Sequence, residues 1–263
     1  MKRFRNFGLP ALVAGVLLWA AACGGNKPTV SPADADKLLL ERGNTALKER
    51  KWVTGRQYFS ELLESYPQSP LRAEAKLGVG DSYLGENNAG AYVYAQNEYR
   101  EFLAFYPTNP RADYAQMQLG MVHFNQMLGP QRDQAETREA IKEFQTFVER
   151  YPGSPLFPQV KQRLRESRDR LSDWDLQVGT FYLRARLYPA AVPRFRHVLD
   201  TDPEYTRKDA VYFHLAETLE KSANPAEALP YYERLVAEYE QSEFLAEAKK
   251  RIAVLKADPA GRR

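Results

Sequence analysis

The chain has 263 residues, of which 44% are apolar and 27% charged, so it can bury a core and remain soluble. Lysine and arginine total 37 against 34 acidic residues, and three of the basic residues lie within the first five positions. The rest of the chain is therefore balanced in charge. This balance argues against nucleic-acid binding, which requires a clustered basic face.

The N-terminus has the pattern of a secretory signal. Lys2, Arg3 and Arg5 precede an apolar run at residues 7–22 that ends in small residues, as signal peptides do. The run is shorter than the roughly 20 residues that a membrane-spanning helix requires. The sequence therefore predicts a signal peptide at residues 1–22.

Cys23 is the only cysteine, so an exported chain would have no internal disulfide. It follows Ala20-Ala21-Ala22 and precedes Gly24-Gly25. This resembles a bacterial lipoprotein cleavage site, where the cysteine thiol receives a lipid that anchors the mature chain. Such sites usually carry an aliphatic residue at the position of Ala20, so ordinary cleavage leaving a free cysteine is the alternative. Residues 23–33 are small and polar, and we predict a flexible tether there.

A proline-containing segment, Tyr66-Pro67-Gln68-Ser69-Pro70, recurs at residues 106–110 and 151–155. Its first proline ends a helix, because proline lacks a backbone N–H and restricts the preceding residue. Ser69 is placed to cap the next helix by accepting a backbone N–H. A small residue lies 12 positions before the first proline and an aromatic residue eight positions before it. Pro203 and Glu240 extend this frame to five units. The aligned small and aromatic residues are Gly55 and Phe59, Ala95 and Tyr99, Ala140 and Phe144, Ala191 and Phe195, and Ala228 and Tyr232.

A second small position lies upstream in every unit. Together these positions predict two antiparallel helices, A and B, that approach closely at small residues, while the aromatic residue of helix B packs against the next helix A. This spacing resembles the tetratricopeptide repeat. We therefore predict an all-α fold, a right-handed superhelical solenoid of about five tetratricopeptide helix-turn-helix repeats. The upstream small residues are Gly43, Gly80, Gly120, Gly179 and Ala216.

Irregular spacings predict where the repeats differ. The two small positions are 12 residues apart in three units, but 15 apart in unit two and 20 apart in unit three, which predicts insertions in the A–B turns of those two units. The interval from the proline to the next small residue is 27 residues between Pro152 and Gly179, against 13 elsewhere, which predicts a long helix starting near Leu156. The predicted domains are an N-terminal half with repeats one to three (34–155), a C-terminal half with the long helix and repeats four and five (156–257), and a disordered tail (258–263).

The chemistry of the sequence does not indicate an enzyme. His123, His197 and His214 are scattered over three repeats, and none has metal-ligand spacing with a second histidine or a cysteine. Common catalytic and phosphate-binding motifs do not occur. Asp173 and Asp175 are two residues apart on a helix and point apart, so a solvated face is expected. We predict no catalytic residues, no metal site and no cofactor.

The remaining candidate is a recognition surface. The A helices of tetratricopeptide proteins line a groove that takes peptides. Lys37 and Asn44 match grooves that clamp a terminal carboxylate, whereas Met121 and Phe124 have core packing as their alternative. The candidate groove residues are Lys37, Asn44, Asp81, Tyr114, Met121 and Phe124.

The signal with Cys23, the repeated Tyr-Pro segment, the segment EAIKEFQTFVERYPGSP and the long fourth A helix together resemble the BamD family. Its members are tetratricopeptide lipoproteins of the outer membrane β-barrel assembly machinery. The resemblance implies a non-catalytic scaffold, lipid-anchored at the periplasmic face of the outer membrane. It implies that the C-terminal repeats bind the BamA-like barrel-forming component and that the N-terminal groove binds unfolded outer membrane proteins. The alternative is a periplasmic tetratricopeptide adaptor of another envelope complex, of the cell-division or Tol-Pal type.

Overall fold

The computed structural model describes residues 34–257, and within that range it contains eleven helices and no strands. From α2 onward, each helix packs against the next one along the chain. The predicted all-α tetratricopeptide fold is confirmed, with five A–B pairs followed by one further helix. The helices are α1 (Ala35–Lys48), α2 (Trp52–Ser65), α3 (Arg72–Glu86), α4 (Ala89–Phe105), α5 (Ala112–Phe124), α6 (Ala135–Arg150), α7 (Phe157–Arg184), α8 (Tyr188–Thr201), α9 (Lys208–Lys221), α10 (Pro225–Glu238) and α11 (Leu245–Ala257).

The small residues of the A helices lie directly against the aromatic rings of the B helices. A Cβ placed on Gly80 would lie 2.7 Å from the Tyr99 ring, and one on Gly120 would lie 2.4 Å from the Phe144 ring. The ring thus occupies the volume that a side chain on helix A would need. The predicted role of the small residues is confirmed, but these two rings pack against the A helix of their own unit.

The A–B turns of units one, four and five share one conformation. Arg50, Arg186 and Ala223 lie in the left-handed region, with φ of 58°, 61° and 60°. Each is followed by a residue whose N–H bonds to a carbonyl five residues earlier, as Lys51 does to Ala46. This is the hydrogen-bond pattern of a Schellman motif, which satisfies carbonyls at the helix end.

The two predicted insertions have different outcomes. In unit two, α3 ends at Glu86 and α4 begins at Ala89, so the turn has no insertion and the prediction is wrong. The additional residues of that unit lengthen the two helices instead. In unit three the prediction is confirmed, because residues 125–134 separate α5 from α6.

The serine of the recurring segment makes two hydrogen bonds. Ser69 Oγ accepts the Leu71 N–H at 3.1 Å, which confirms the predicted capping role. The same hydroxyl donates to Asp36 Oδ2 at 2.6 Å, in the first turn of the preceding A helix. Ser154 donates in the same way to Asp113 at 2.6 Å. These serines therefore fix the start of one A helix to the start of the helix A before it.

Helix α11 begins after the same serine contact, without the prolines. Ser242 Oγ accepts the Phe244 N–H at 3.2 Å and donates to Asp209 Oδ2 at 2.6 Å. It thus occupies the position of an A helix in a sixth unit. Helix α11 was not predicted as a separate helix, because proline marks the end of each earlier unit and Glu240 replaces that proline here.

Helix α7 is the predicted long A helix and has 28 residues. Near its start, Val160 and Leu164 join an apolar cluster with α5 and α6. Near its end, Leu176 and Leu183 join a second cluster that extends to α11. The two clusters are thus connected through this one helix. The division of the chain into two halves stays a prediction.

A polar layer lies between these clusters. We define it as Arg165, Asp169 and Ser172 of α7 together with Asp202. Asp202 follows α8 and is only 6% exposed. Arg165 Nη1 donates to Asp202 Oδ1 at 2.8 Å, and Arg165 Nη2 donates to Asp202 Oδ2. Ser172 Oγ donates to the same Oδ2 at 2.7 Å. Asp202 stands where the other segments carry tyrosine, and its pairing with α7 accounts for that difference.

Candidate functional site

Asp81 and Tyr114, two of the predicted groove residues, are in contact. Asp81 on α3 accepts a hydrogen bond from Tyr99 of α4 at 2.6 Å and one from Tyr114 of α5 at 3.0 Å. Gln118 Nε2 donates to the Tyr114 hydroxyl at 2.9 Å. One carboxylate therefore joins three consecutive helices at the predicted groove.

The environment of this carboxylate affects its ionisation. Burial raises the pKa of Asp81, while the hydrogen bonds from Tyr99 and Tyr114 act in the opposite direction. Burial also raises the pKa of both tyrosine hydroxyls, and the neighbouring Asp81 raises it further. The tyrosines thus stay protonated at neutral pH and remain hydrogen-bond donors.

The other four predicted groove residues do not join this contact. Lys37 and Asn44 are exposed on α1, two helical turns apart. Met121 and Phe124 are partly buried and pack against the apolar cluster of α5, α6 and α7. The Phe124 ring lies 6.1 Å from the Phe144 ring. Core packing, the alternative for Met121 and Phe124, accounts for much of their apolar surface.

A cavity in the C-terminal repeats, which we call the α7–α9 pocket, was not predicted from the sequence. It has a volume of about 750 Å³ and is bordered by α7, by α9 and by the loop between α5 and α6. Trp174, Val178 and Phe181 contribute to it from α7 at spacings that place them on one helix face. Those spacings were the available sequence signal, but without a second element they do not distinguish a pocket from core.

The α7–α9 pocket combines aromatic and cationic groups. Phe181 is 65% exposed, which is unusual for a side chain of that size. Trp174 lies between two guanidinium groups, with Arg138 at 5.7 Å and Arg194 at 5.4 Å from its ring. Arg184 also lines the pocket. Aromatic and arginine side chains are enriched in protein interfaces, often as their strongest contacts.

The wall of the pocket that α9 forms contains a histidine. His214 lines it from α9 and lies 3.5 Å from Glu217. The hydrogen bond from His214, followed by one from Lys221, lowers the pKa of Glu217 to about 2. Glu217 is thus ionised at neutral pH.

The expected solvated face at Asp173 and Asp175 is wrong for Asp175. Asp175 is buried and pairs with Arg194 at 3.2 Å. Asp173 accepts a hydrogen bond from Tyr205 and pairs with Arg207 at 3.3 Å. The two carboxylates point apart as expected, and each holds a different neighbouring helix or turn.

The predicted membrane attachment lies outside the described residues, since Cys23 precedes residue 34. Among residues 34–257, no helix has both the length and the apolar character needed to cross a membrane.

The paired helices, which approach closely at small residues, define a tetratricopeptide-repeat protein, and residues 210–242 match a tetratricopeptide repeat. Residues 32–224 match the family described as YfiO, outer membrane lipoprotein. The chain therefore belongs to the YfiO family of outer membrane lipoproteins.

Individual relatives agree with this family. The chain is similar to outer membrane protein assembly factor BamD of Caulobacter vibrioides, with 27% identity covering 80% of this chain and 70% of that protein. It is also similar to BamD of Vibrio cholerae, with 26% identity covering 74% of this chain and 83% of that protein. A similar solved structure is the TPR2AB domain–pHSP90 complex of yeast Sti1, with 13% identity, a TM-score of 0.45, and coverage of 86% of this chain and 84% of that chain. The relatives confirm the resemblance to the BamD family, and the assembly-factor relatives and repeat fold support the predicted non-catalytic scaffold.

Proposed function

We propose that this lipoprotein is a scaffold for outer membrane protein assembly. In this proposal, the α7–α9 pocket binds the periplasmic part of a BamA-like barrel-forming component. The predicted groove of the N-terminal repeats binds unfolded outer membrane proteins. The lipid on Cys23 holds the chain at the periplasmic face of the outer membrane.

The observation that carries the first binding role is the exposed Phe181 within an open pocket lined by Arg184 and Arg207. Arg138 and Arg194 lie near the ring of Trp174, which also lines the pocket. When a partner covers an aromatic side chain that is exposed in the free chain, apolar surface is removed from water and the complex is stabilised. The guanidinium groups around it favour a partner surface that carries carboxylates.

The two binding roles predict separable effects. Phe181→Ala should weaken binding of the purified periplasmic part of the BamA-like protein about 10-fold or more, as loss of an interface hot spot does. Binding of a urea-unfolded porin should remain unchanged. Lys37→Glu combined with Asn44→Asp should show the opposite pattern, because both place negative charge where a substrate carboxylate is expected. Fluorescence anisotropy measures both interactions.

Phe105→Ala is the matched control for the pocket. Phe105 is 73% exposed at the end of α4, so its loss removes a similar apolar surface from the other half of the chain. Equal binding of the BamA-like protein by the wild type and Phe181→Ala would contradict the pocket assignment. Failure of the wild type to bind it at all would favour an adaptor of another envelope complex.

Lipid attachment predicts where the chain is found after cell fractionation. Cys23→Ala should move most of the protein from the outer membrane fraction to the soluble periplasmic fraction, because the acyl chains are lost. Immunoblotting of the fractions measures this, with Ala22→Ser, which keeps the cysteine, as the control. Unchanged membrane retention of Cys23→Ala would refute the lipid anchor.

A further inference from the structure

Three potential metal ligands meet between α5 and α6. Ligand atoms of His123, Glu139 and Glu143 all lie within 4.8 Å of one another. Glu139 and Glu143 are one turn apart on α6, and His123 lies in the last turn of α5. The loop of residues 125–134 separates the histidine from the carboxylates, so their proximity arises only in the folded chain.

Glu143 is a buried carboxylate without a cationic partner among residues 34–257. It is 8% exposed, and the side-chain donor to it is Gln116, whose Nε2 lies 2.8 Å from Oε2. Glu139 pairs with the exposed Lys142 at 3.3 Å. Buried carboxylates are ordinarily paired with a cation or bound to a metal ion. The negative charge of Glu143 is therefore only partly compensated.

His123 is buried and held in a defined orientation. Its Nδ1 lies 2.7 Å from Glu136 Oε2, and its Nε2 lies 2.8 Å from the Gln96 side-chain nitrogen. Each ring nitrogen thus has one polar partner, and the two contacts together fix the orientation of the ring. Neutral imidazole is the form that binds metals, and a hydrogen bond on the other ring nitrogen commonly orients it.

We propose that His123, Glu139 and Glu143 bind one divalent transition-metal ion of the zinc class. One imidazole nitrogen and two carboxylate oxygens are ligands that zinc accepts, whereas calcium and magnesium prefer oxygen alone. When the ion binds, one ring nitrogen of His123 releases its present hydrogen-bond partner and coordinates the ion. The other ring nitrogen keeps its partner. The ion compensates the charge of Glu143 and joins α5 to α6 at the base of the loop that borders the α7–α9 pocket.

The sequence did not indicate this site, because the spacing of histidine and cysteine residues along the chain does not reveal a metal site whose other ligands are glutamates. His123 and Glu139 are separated by an inserted loop of no fixed motif. The two glutamates at i and i+4 are common on helix surfaces, so they carry no signal without the histidine.

Zinc titration of the full chain tests the proposal. After removal of metal with a chelator, isothermal titration with ZnCl₂ should show one saturable equivalent that Glu143→Gln and Glu139→Gln lose, or bind at least about 10-fold more weakly. Glutamine at position 143 keeps the shape and can still accept from Gln116. His197→Gln, at an exposed histidine, is the control and should bind as the wild type does. Cys23 is the same in all these chains, so a difference in zinc binding between them does not arise from it.

Thermal unfolding gives a second measurement. Without zinc, Glu143→Gln should unfold at the same temperature as the wild type or higher, because it removes a buried charge. With zinc, the unfolding temperature should rise in the wild type and not in the variant. Equal zinc stoichiometry and affinity in the wild type and Glu143→Gln would overturn the proposal. So would the absence of a saturable equivalent in the wild type.

Discussion

Phe144→Ala lowers the free energy of unfolding by about 3–5 kcal/mol, the usual cost of removing a fully buried phenylalanine ring. Phe144 on α6 is fully buried and lies against Gly120 of α5. Because Gly120 has no side chain, it cannot fill the vacated volume. The neighbouring helices can relax only partly, so a cavity remains.

Urea unfolding followed by circular dichroism measures this loss. Phe105→Ala is the control, since the same substitution at an exposed site should change stability by about 0.5 kcal/mol or less. A Phe144→Ala variant with unchanged stability would contradict the packing of ring against glycine. If the variant does not fold, Phe144→Leu, which keeps most of the volume, should fold with an intermediate loss.

Arg165→Met lowers the free energy of unfolding by about 3 kcal/mol, since removal of one partner leaves a buried charge uncompensated. Asp202 would keep only the hydroxyl of Ser172 as a side-chain donor in the polar layer. The methionine fills the volume of the arginine stem, so most of the loss should come from the unpaired carboxylate. Adding Asp202→Asn removes that charge and should restore part of the stability.

Arg196→Met is the matched control for this prediction. Arg196 pairs with Glu227 between neighbouring helices as well, but both side chains are exposed, and such pairs contribute about 0–1 kcal/mol. Urea unfolding of the four proteins compares them directly. A similar effect of Arg165→Met and Arg196→Met would show that the polar layer contributes no more than a surface ion pair.

The sequence predicted the elements whose signals lie at fixed spacing within one repeat. The close approach of α5 and α6 at Gly120 follows from the repeated small positions, although Phe144 was expected to pack against the next A helix. Helix α7 follows from a single irregular interval. Ser69 was correctly assigned as a cap, because capping involves residues two or three positions away. Local spacing was therefore sufficient for most of the fold.

Features that depend on distant residues were not predicted. The role of Asp202 was not predicted, since its partner Arg165 lies 37 residues earlier. Helix α11 was not predicted because the prolines that mark the earlier units are absent there, although the contact of Ser242 with Asp209 is present. The α7–α9 pocket needs α9 and the loop of residues 125–134 to be placed beside α7. For Asp202 and for the pocket, the deciding contact is made by a residue that no periodicity along the chain identifies.

The length of α7 determines how the two proposed binding surfaces are oriented relative to each other. Its interval exceeds the regular one by 14 residues, which is close to four whole turns at 3.6 residues per turn. The extension therefore moves the later repeats along the helix axis by about 21 Å, at 1.5 Å per residue, while keeping nearly the same rotational phase. A change of a single residue would rotate the later repeats by about 100°. Molecules held at the two surfaces would thus meet at an effective concentration that is set by the rigid helix α7. The length of α7 can change without changing the orientation of the two surfaces only if whole helical turns are added or removed.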